Sequence, residues 1–540
     1  MLGQLPGVSF NSSDPLALDP YSANIYMRGF TEDQLGFTLD GVPLGAQGYG
    51  SSGQGYGNIG GININSAIIG DNIERVNVSQ GAGPVDVPSA SNLGGVIQFI
   101  SLDPTEAANW KTTAYIHHKA FAGYYTSPYY PSPDGAPLSE EEFASYSRRL
   151  GVSSDLAYRW NQHSLEAGLW YEHLHAYVPE NLYSEPMLGE GAPLNPLGDV
   201  PTPYATPWAY TYSDTTKQAH LQDTYQVTPG LRLNAGFRSL FFTGTSGIAQ
   251  NEPAYSGYTS LPSGSISASN AFLPQISGNW TITPDQEAFF NVSKNMRVFS
   301  QSGLEEGSPW GVASQALFNQ LQRTLKPEQD FVYETGYRYT SSLVVGSLTL
   351  YHVDFSNRLQ AIAVGPLADI QATIANVGDV KMNGLDANWI IRPIDSLSFS
   401  NSISLNSAKY QSDLTTGGTT YDLRDKQEVN YPEVMFKTRV TYTYGNLSAH
   451  LDGQYMGRRY ISYDNDNYAP GYWVSNAGVS ERVDLGGFLK NLTVGLNVYN
   501  LFDSTYISIT GETGNPLSGD YQTFQIGAPR MVYGSLSAAF

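Results

Sequence analysis

The sequence predicts an all-β membrane protein, a 22-stranded antiparallel transmembrane β-barrel whose lumen holds an N-terminal α/β plug domain. Three observations lead there. Only 14% of the 540 residues are charged, against roughly 25% in an ordinary soluble protein, so the surface is short of charge for a soluble fold. Mean hydropathy is only −0.28 and no long apolar run occurs, which excludes helical membrane spans. From about residue 104 onward, alternating runs of roughly eight to twelve residues are separated by turns, as lipid-facing and lumen-facing positions require.

Four runs show the alternation well. In HSLEAGLWY, Leu165, Ala167, Leu169 and Tyr171 share one face and Ser164, Glu166, Gly168, Trp170 and Glu172 the other. In LRLNAGFRSLF, Leu231, Leu233, Ala235 and Phe237 oppose Arg232, Asn234, Gly236 and Arg238; in NLTVGLNVYN, Leu492, Val494, Leu496 and Val498 oppose Thr493, Gly495, Asn497 and Tyr499. The closing MVYGSLSAAF places Val532, Leu536, Ala538 and Phe540 together. The 38 tyrosines suit the aromatic girdles of a barrel, whereas an antiparallel sandwich with one wet face would not need so many.

Connections alternate in length. Thr228-Pro229-Gly230 and Thr283-Pro284-Asp285 read as short periplasmic turns, and Gly/Pro/Tyr-rich stretches near 176–213, 243–270, 300–325, 411–430 and 509–522 as long external loops. Residues 104–540 at about 20 residues per strand and connection supply 22 strands, a size whose lumen needs a plug. Residues 1–103 differ: short apolar runs (FTLDGVPL, IERVNVSQ, GGVIQFIS) sit between glycine-rich turns, as in a small α/β domain.

A net charge of −21, from 28 Lys plus Arg against 49 Asp plus Glu, argues against a nucleic-acid partner. With no Cys there are neither disulfides nor thiolate metal sites. Met1 is followed by LGQLPGVSF, which lacks the basic start and apolar core of an export signal, so the sequence is expected to begin inside a longer gene product.

Two successive G-x-G-x-x-G patterns lie in GYGSSGQGYGNIGG, Gly48 to Gly61, with Glu74 at the spacing of a ribose-binding carboxylate. A nucleotide-binding enzyme would need a strand, the glycines, a helix and a second parallel strand. The ININSAIIGDNIERVNV that follows leaves too little room for that helix, and the glycines belong to a low-complexity run.

The order and spacing of several segments resemble the TonB-dependent outer-membrane receptors, siderophore-receptor-like and N-terminally truncated. IYMRGFTEDQLGFTLDGVPL, NIERVNVSQGAG and SNLGGVIQFIS resemble the family's plug; LKPEQDFVYETGYRY, NVGDVKMNGLDANW, NVYNLFDSTY and GAPRMVYGSLSAAF resemble its barrel strands. The resemblance implies a monomeric receptor, not an enzyme, in the outer membrane of a Gram-negative bacterium. It implies active uptake of a scarce ligand, energised by the TonB-ExbB-ExbD complex, with outer-membrane lipid around the barrel and no cofactor. A ferric siderophore leads as cargo, with cobalamin or an oligosaccharide as alternatives and a passive porin-like channel as the competing class. The TonB box would precede Met1.

The resemblance also implies a plug-to-barrel lock. Two barrel carboxylates map onto Glu334 and Asp386, and alternation independently turns both toward the lumen: Phe331, Tyr333, Thr335 and Tyr337 oppose Glu334, while Leu385, Ala387, Trp389 and Ile391 oppose Asp386. Arg28 matches one plug cation. Gln80 occupies the place of the second, which leaves one arginine for two carboxylates unless Arg75, Arg338 or a protonated carboxyl compensates.

Ligand-binding candidates are Tyr49 and Tyr56 on the glycine-rich plug loop, and Tyr204, Trp208, Tyr210, Tyr212 and Trp310 on external loops, where aromatic faces can stack on a flat ligand. No metal site is expected. His173 and His175 share a face but lack a third ligand, and His117 and His118 point to opposite faces. Asp464 and Asp466 read as a turn, without the glycine and distal glutamate of a Ca²⁺ loop.

Overall fold

The computed structural model describes residues 4–14, 23–45, 73–81, 83–101, 110–301, 308–312, 314–364, 371–416, 419–483, 490–510 and 524–539. Sixteen strands form one antiparallel meander: Trp110–Ser127, Ser139–Trp160, His163–Ser184, Ala205–Thr228, Leu231–Asn251, Gly264–Thr283, Gln286–Met296, Gln329–Thr340, Val344–Ser356, Val380–Ile394, Leu397–Tyr410, Val434–Tyr444, Leu447–Met456, Tyr472–Val483, Lys490–Tyr499 and Met531–Ala539. Neighbours in sequence pair throughout, so no crossover is needed.

The sheet thus counts 16 strands among the described residues where 22 were expected. The discrepancy has a physical source. Strands such as Ser139–Trp160, with 22 residues, and Ala205–Thr228, with 24, each exceed the length allotted to a strand plus its connection. The loops expected at 176–213 and 243–270 shrink to 185–204 and 252–263, because their flanks continue the strands.

One end of the meander carries two-residue turns at 161–162, 229–230, 284–285, 395–396 and 445–446, while the other carries long connections at 297–328, 357–379, 411–433 and 500–530. Several long connections fold into their own hairpins, including Leu359–Val364 with Gln371–Asn376 and Ile507–Thr510 with Phe524–Ile526. Another carries the helix Gln315–Thr324, capped by Ser314, whose side chain accepts from the Leu317 amide.

The outer face of the sheet is apolar and exposed. Leu169, Ile276, Leu350, Leu451, Leu496 and Leu536 all present their side chains outward. Large aromatics crowd the strand ends nearest the short turns, among them Trp110, Tyr158, Trp160, Trp280 and Tyr444. An apolar band rimmed by aromatics belongs in a bilayer.

The N-terminal residues pack against the inner face. Gly36–Leu39 runs parallel to Gly95–Ser101, which pairs antiparallel with Ile73–Gln80, and Val8–Ser12 pairs with Ala23–Met27. The Asp-Gly of DGVP is a two-residue hairpin turn with φ of +53° at Asp40 and +84° at Gly41. Both Asp40 carboxylate oxygens then accept from Ser101, pinning that turn to the neighbouring strand.

This small domain touches the sheet from one end to the other. Arg149 donates to Pro43 O at 2.9 Å, Gln218 to Val87 O at 3.2 Å, Asn430 to Tyr26 Oη at 2.6 Å, and Ser13 reaches Gln525 at 3.0 Å. Asn430 and Ser13's partner Gln525 lie on long connections, while Arg149, Gln218, Arg238, Glu334, Asp386 and Lys437 meet the domain from strands spread along the sheet, which must therefore curve around it. One buried cluster spans both parts, with Met27, Phe30, Phe37, Leu93 and Ile97 against Val353, Phe355, Met382 and Tyr431. The boundary expected at 103/104 lies outside the described residues.

Candidate functional site: the plug-to-barrel ion pairs

Arg28 owes its position to a tight turn. Met27 and Phe30 exchange both backbone hydrogen bonds at 3.0 Å, and the two residues between them, Arg28 and Gly29, have φ of +51° and +83°. Only glycine suits the second position: a Cβ on Gly29 would fall 1.2 Å from Cε2 of Tyr431. The turn aims the arginine side chain at the barrel wall.

There it meets both expected carboxylates. Arg28 Nε donates to Asp386 Oδ2 at 2.8 Å and its Nη1 to Glu334 Oε1, with side chains only 4%, 2% and 7% exposed. Glu334 and Asp386 sit on strands separated by Val344–Ser356, whose Tyr351 pairs in register with Glu334. The Tyr351 ring lies under the guanidinium, 4.5 Å away, where its π face adds a cation–π contact. Burial alone would favour loss of the arginine proton, but the two carboxylates hold the guanidinium firmly charged.

Gln80 takes no part in this pairing. Its Nε2 donates to Pro6 O at 2.6 Å. Neither cation considered in its place compensates: Arg75 is exposed on the plug strand, and Arg338 pairs with Glu287 and stacks over Phe289 at 4.2 Å. A cavity of about 560 Å³ lies beside the pair, bounded by Leu5, Arg28, Gln80, Asn291, Glu334 and Arg338.

A second charged network was not legible as a site in the sequence. Asp33 Oδ2 lies 2.8 Å from Arg297 Nη1, which is 3.0 Å from Glu328; Glu328 is 3.1 Å from Arg358, whose Nε is 2.8 Å from Glu428. All five side chains are buried. Burial pushes the Asp33 carboxyl up, opposed by Arg297 and Arg358. Its half-buried neighbour Glu32 is raised to about 7, by desolvation and then by Asp33. Arg297, Glu328 and Arg358 each lie within two residues of a strand's long-connection end, so this network ties the plug to the loops. The available signal was charged residues at strand ends in a charge-poor chain, including the glutamate of LKPEQD.

The aromatic candidates separate into two groups. Trp208, Tyr210 and Tyr212 belong to the strand Ala205–Thr228 and not to a loop, as their i, i+2, i+4 spacing allows. Tyr210 and Tyr212 stack at 5.6 Å, Trp208 follows at 5.8 Å, and Trp310 meets Tyr212 edge-on at 6.4 Å. All four are buried, in a cluster with Phe143, Phe242, Phe299 and Phe318. Tyr204 is half-buried at the loop edge, edge-on to Tyr255 at 5.9 Å. Tyr49 and Tyr56 lie outside the described residues.

Among the other residues weighed from sequence, His173 bonds to Thr215 at 3.2 Å, and Asp464 and Asp466 form a turn in which Ser462 donates to Asp466 at 2.6 Å. His117 and His118 occupy opposite faces of their strand.

No curated protein sequence matches this chain. Solved structures do match in fold. The ferric citrate transporter FecA in its unliganded form aligns with a TM-score of 0.66 at 14% identity, covering 99% of this chain and 93% of that one. The ferric yersiniabactin uptake receptor FyuA from Yersinia pestis gives 0.61 at 12%, covering 100% and 94%. The copper transporter OprC gives 0.66 at 12%, covering 99% and 96%. The family model for the TonB dependent receptor-like β-barrel matches residues 21–501. With an N-terminal domain joined to the sheet by buried ion pairs, and with that match across most of its length, the chain belongs to the TonB-dependent receptor family.

Proposed function

We propose that this receptor takes up a ferric siderophore across the outer membrane of a Gram-negative bacterium, driven by the TonB-ExbB-ExbD complex acting on the plug. The observation that carries the reading is Arg28, buried between Glu334 and Asp386. A diffusion channel has no use for a lumen closed by desolvated charge, whereas a receptor that opens only under an applied force does. The choice of a metal chelate follows the printed names of the fold neighbours, which include ferric citrate, ferric yersiniabactin and copper transporters.

In this reading Tyr204 and its partner Tyr255 touch the ligand from the loop edge, with Tyr49 and Tyr56 approaching it from the plug. Trp208, Tyr210, Tyr212 and Trp310, buried in their own cluster, do not reach the ligand in this reading. The deciding experiment supplies cells carrying the full-length gene with a panel of ferric siderophores, cobalamin and oligosaccharides, with and without TonB. TonB-dependent accumulation of a ferric siderophore is expected. Uptake that survives loss of TonB and collapse of the proton gradient would make the protein a passive channel, and uptake of cobalamin or an oligosaccharide alone would replace the cargo.

A further inference from the structure

The charges around Arg28 do not balance within the plug. One arginine faces two buried carboxylates, and Asp386 Oδ1 has no hydrogen-bond partner among the described residues. Leaving a carboxylate buried and uncompensated is strongly unfavourable, and either a retained proton or a further cation relieves it. The barrel carries one nearby. Lys437, on the strand Val434–Tyr444, is buried with no carboxylate in ion-pair contact among the described residues; only the strand Leu397–Tyr410 lies between it and Asp386, which pairs there with Ser404 while Lys437 pairs with Ser402.

Four residues of the plug separate the two groups. Lys437 Nζ donates to Leu5 O at 3.0 Å and to Val8 O; the Gly7 amide donates to Ser404 Oγ at 2.6 Å, and Gly7 O accepts from the Arg28 amide at 2.6 Å. Pro6 O accepts from Gln80. Gly7 lies so close to the lock that a Cβ there would stand 2.9 Å from Asp386 Oδ2. The Leu5–Val8 segment is therefore gripped by Arg28, Gln80, Ser404 and Lys437 together.

We propose that Lys437 is the lock's second cation, supplied by the barrel instead of the plug, and that it acts as a positioning residue through Asp386 and the Leu5–Val8 segment. Arg28 and Lys437 then neutralise Glu334 and Asp386. The consequence concerns opening. When the plug shifts, Arg28 leaves with it but Lys437 stays, so the wall keeps one uncompensated negative charge where a plug-borne pair of arginines would leave two. Unlocking costs less, and the exposed wall repels an anionic chelate less.

The inference rests on the reading of Arg28, Glu334 and Asp386 as a lock, and a charge relocation tests it. Gln80 and Glu334 line the same cavity, so a longer cationic side chain at position 80 has room to reach that carboxylate. In the purified receptor, Lys437→Met and Gln80→Arg alone should each speed amide exchange at Gly7 and Arg28, by on the order of 10- to 100-fold. Together they move the cation back to the plug and should return exchange close to the parent rate. Multiplying effects in the double variant would overturn the assignment. If Lys437→Met alone does not assemble, recovery of assembly by Gln80→Arg or by Asp386→Asn is the same result, and failure of both overturns it. Arg28→Ala separates the two claims: no effect there sinks the lock itself, whereas faster exchange without rescue sinks only the role of Lys437.

Discussion

Asp33 of the plug stands 2.8 Å from Arg297, the first residue beyond a barrel strand, with both side chains buried. The plug is therefore held at a second level, by an ion pair of opposite polarity to that of Arg28. Arg297→Met should leave Asp33, Glu328 and Glu428 sharing a single cation of this network, Arg358, at a cost of about 3 to 5 kcal/mol. Thermal unfolding of the purified receptor reads that loss. An unchanged midpoint would show that the network contributes nothing.

The lower lock predicts a permeability phenotype. Arg28→Ala strips the only ion-pair partner that Glu334 and Asp386 have among the described residues, again at about 3 to 5 kcal/mol. Sensitivity to large antibiotics should rise, and exchange protection of residues 23–30 should fall. Retained exclusion with retained protection would reduce Arg28 to an ordinary buried charge.

Glu32 gives the plug a pH response with a definite sign. Its carboxyl is raised from 4.5 to about 7, chiefly by burial and then by Asp33. A raised acid binds its proton more tightly in the folded plug, so its stabilising contribution is complete below about pH 4.5 and is lost as pH climbs through 7. Exchange protection of residues 25–35, corrected for intrinsic rates, should decline across that window, and Glu32→Gln should flatten the decline. A decline that persists in the variant would assign the response to Asp33 and its partners Arg297 and Arg358.

Gly29 is a steric prediction. Its φ of +83° and the Tyr431 ring at its position both exclude a side chain. Gly29→Ala should cost about 1 to 2 kcal/mol for the backbone and about 1 to 3 more for overpacking. Adding Tyr431→Ala should recover only the overpacking part. Full recovery would mean that the left-handed backbone is not strained.

Much of this was legible in the sequence because period-2 patterns act locally. The lumen-facing assignment of Glu334 and Asp386 needed only the residues on either side, whereas Arg28 was singled out by its match to the plug cation that the family resemblance implies. Strand number needed more. Residues 205–213 are aromatic and Gly/Pro-flanked like a loop, yet continue a strand because Trp208, Tyr210 and Tyr212 find a buried wall to stack against. The Asp33 network and Lys437 depend on partners more than 250 residues away in the chain, and a single charge carries no mark of a distant partner.

Arg28 and Asp33 are five positions apart, joined by a two-residue turn and the 3-10 turn Glu32–Gln34. One is fastened to strand interiors, the other to residues that root the external loops. So short a link has almost no slack. Five residues and two turns are all that lie between the loop roots and the Arg28 guanidinium. Whatever moves those loop roots pulls on the same short segment that carries Arg28.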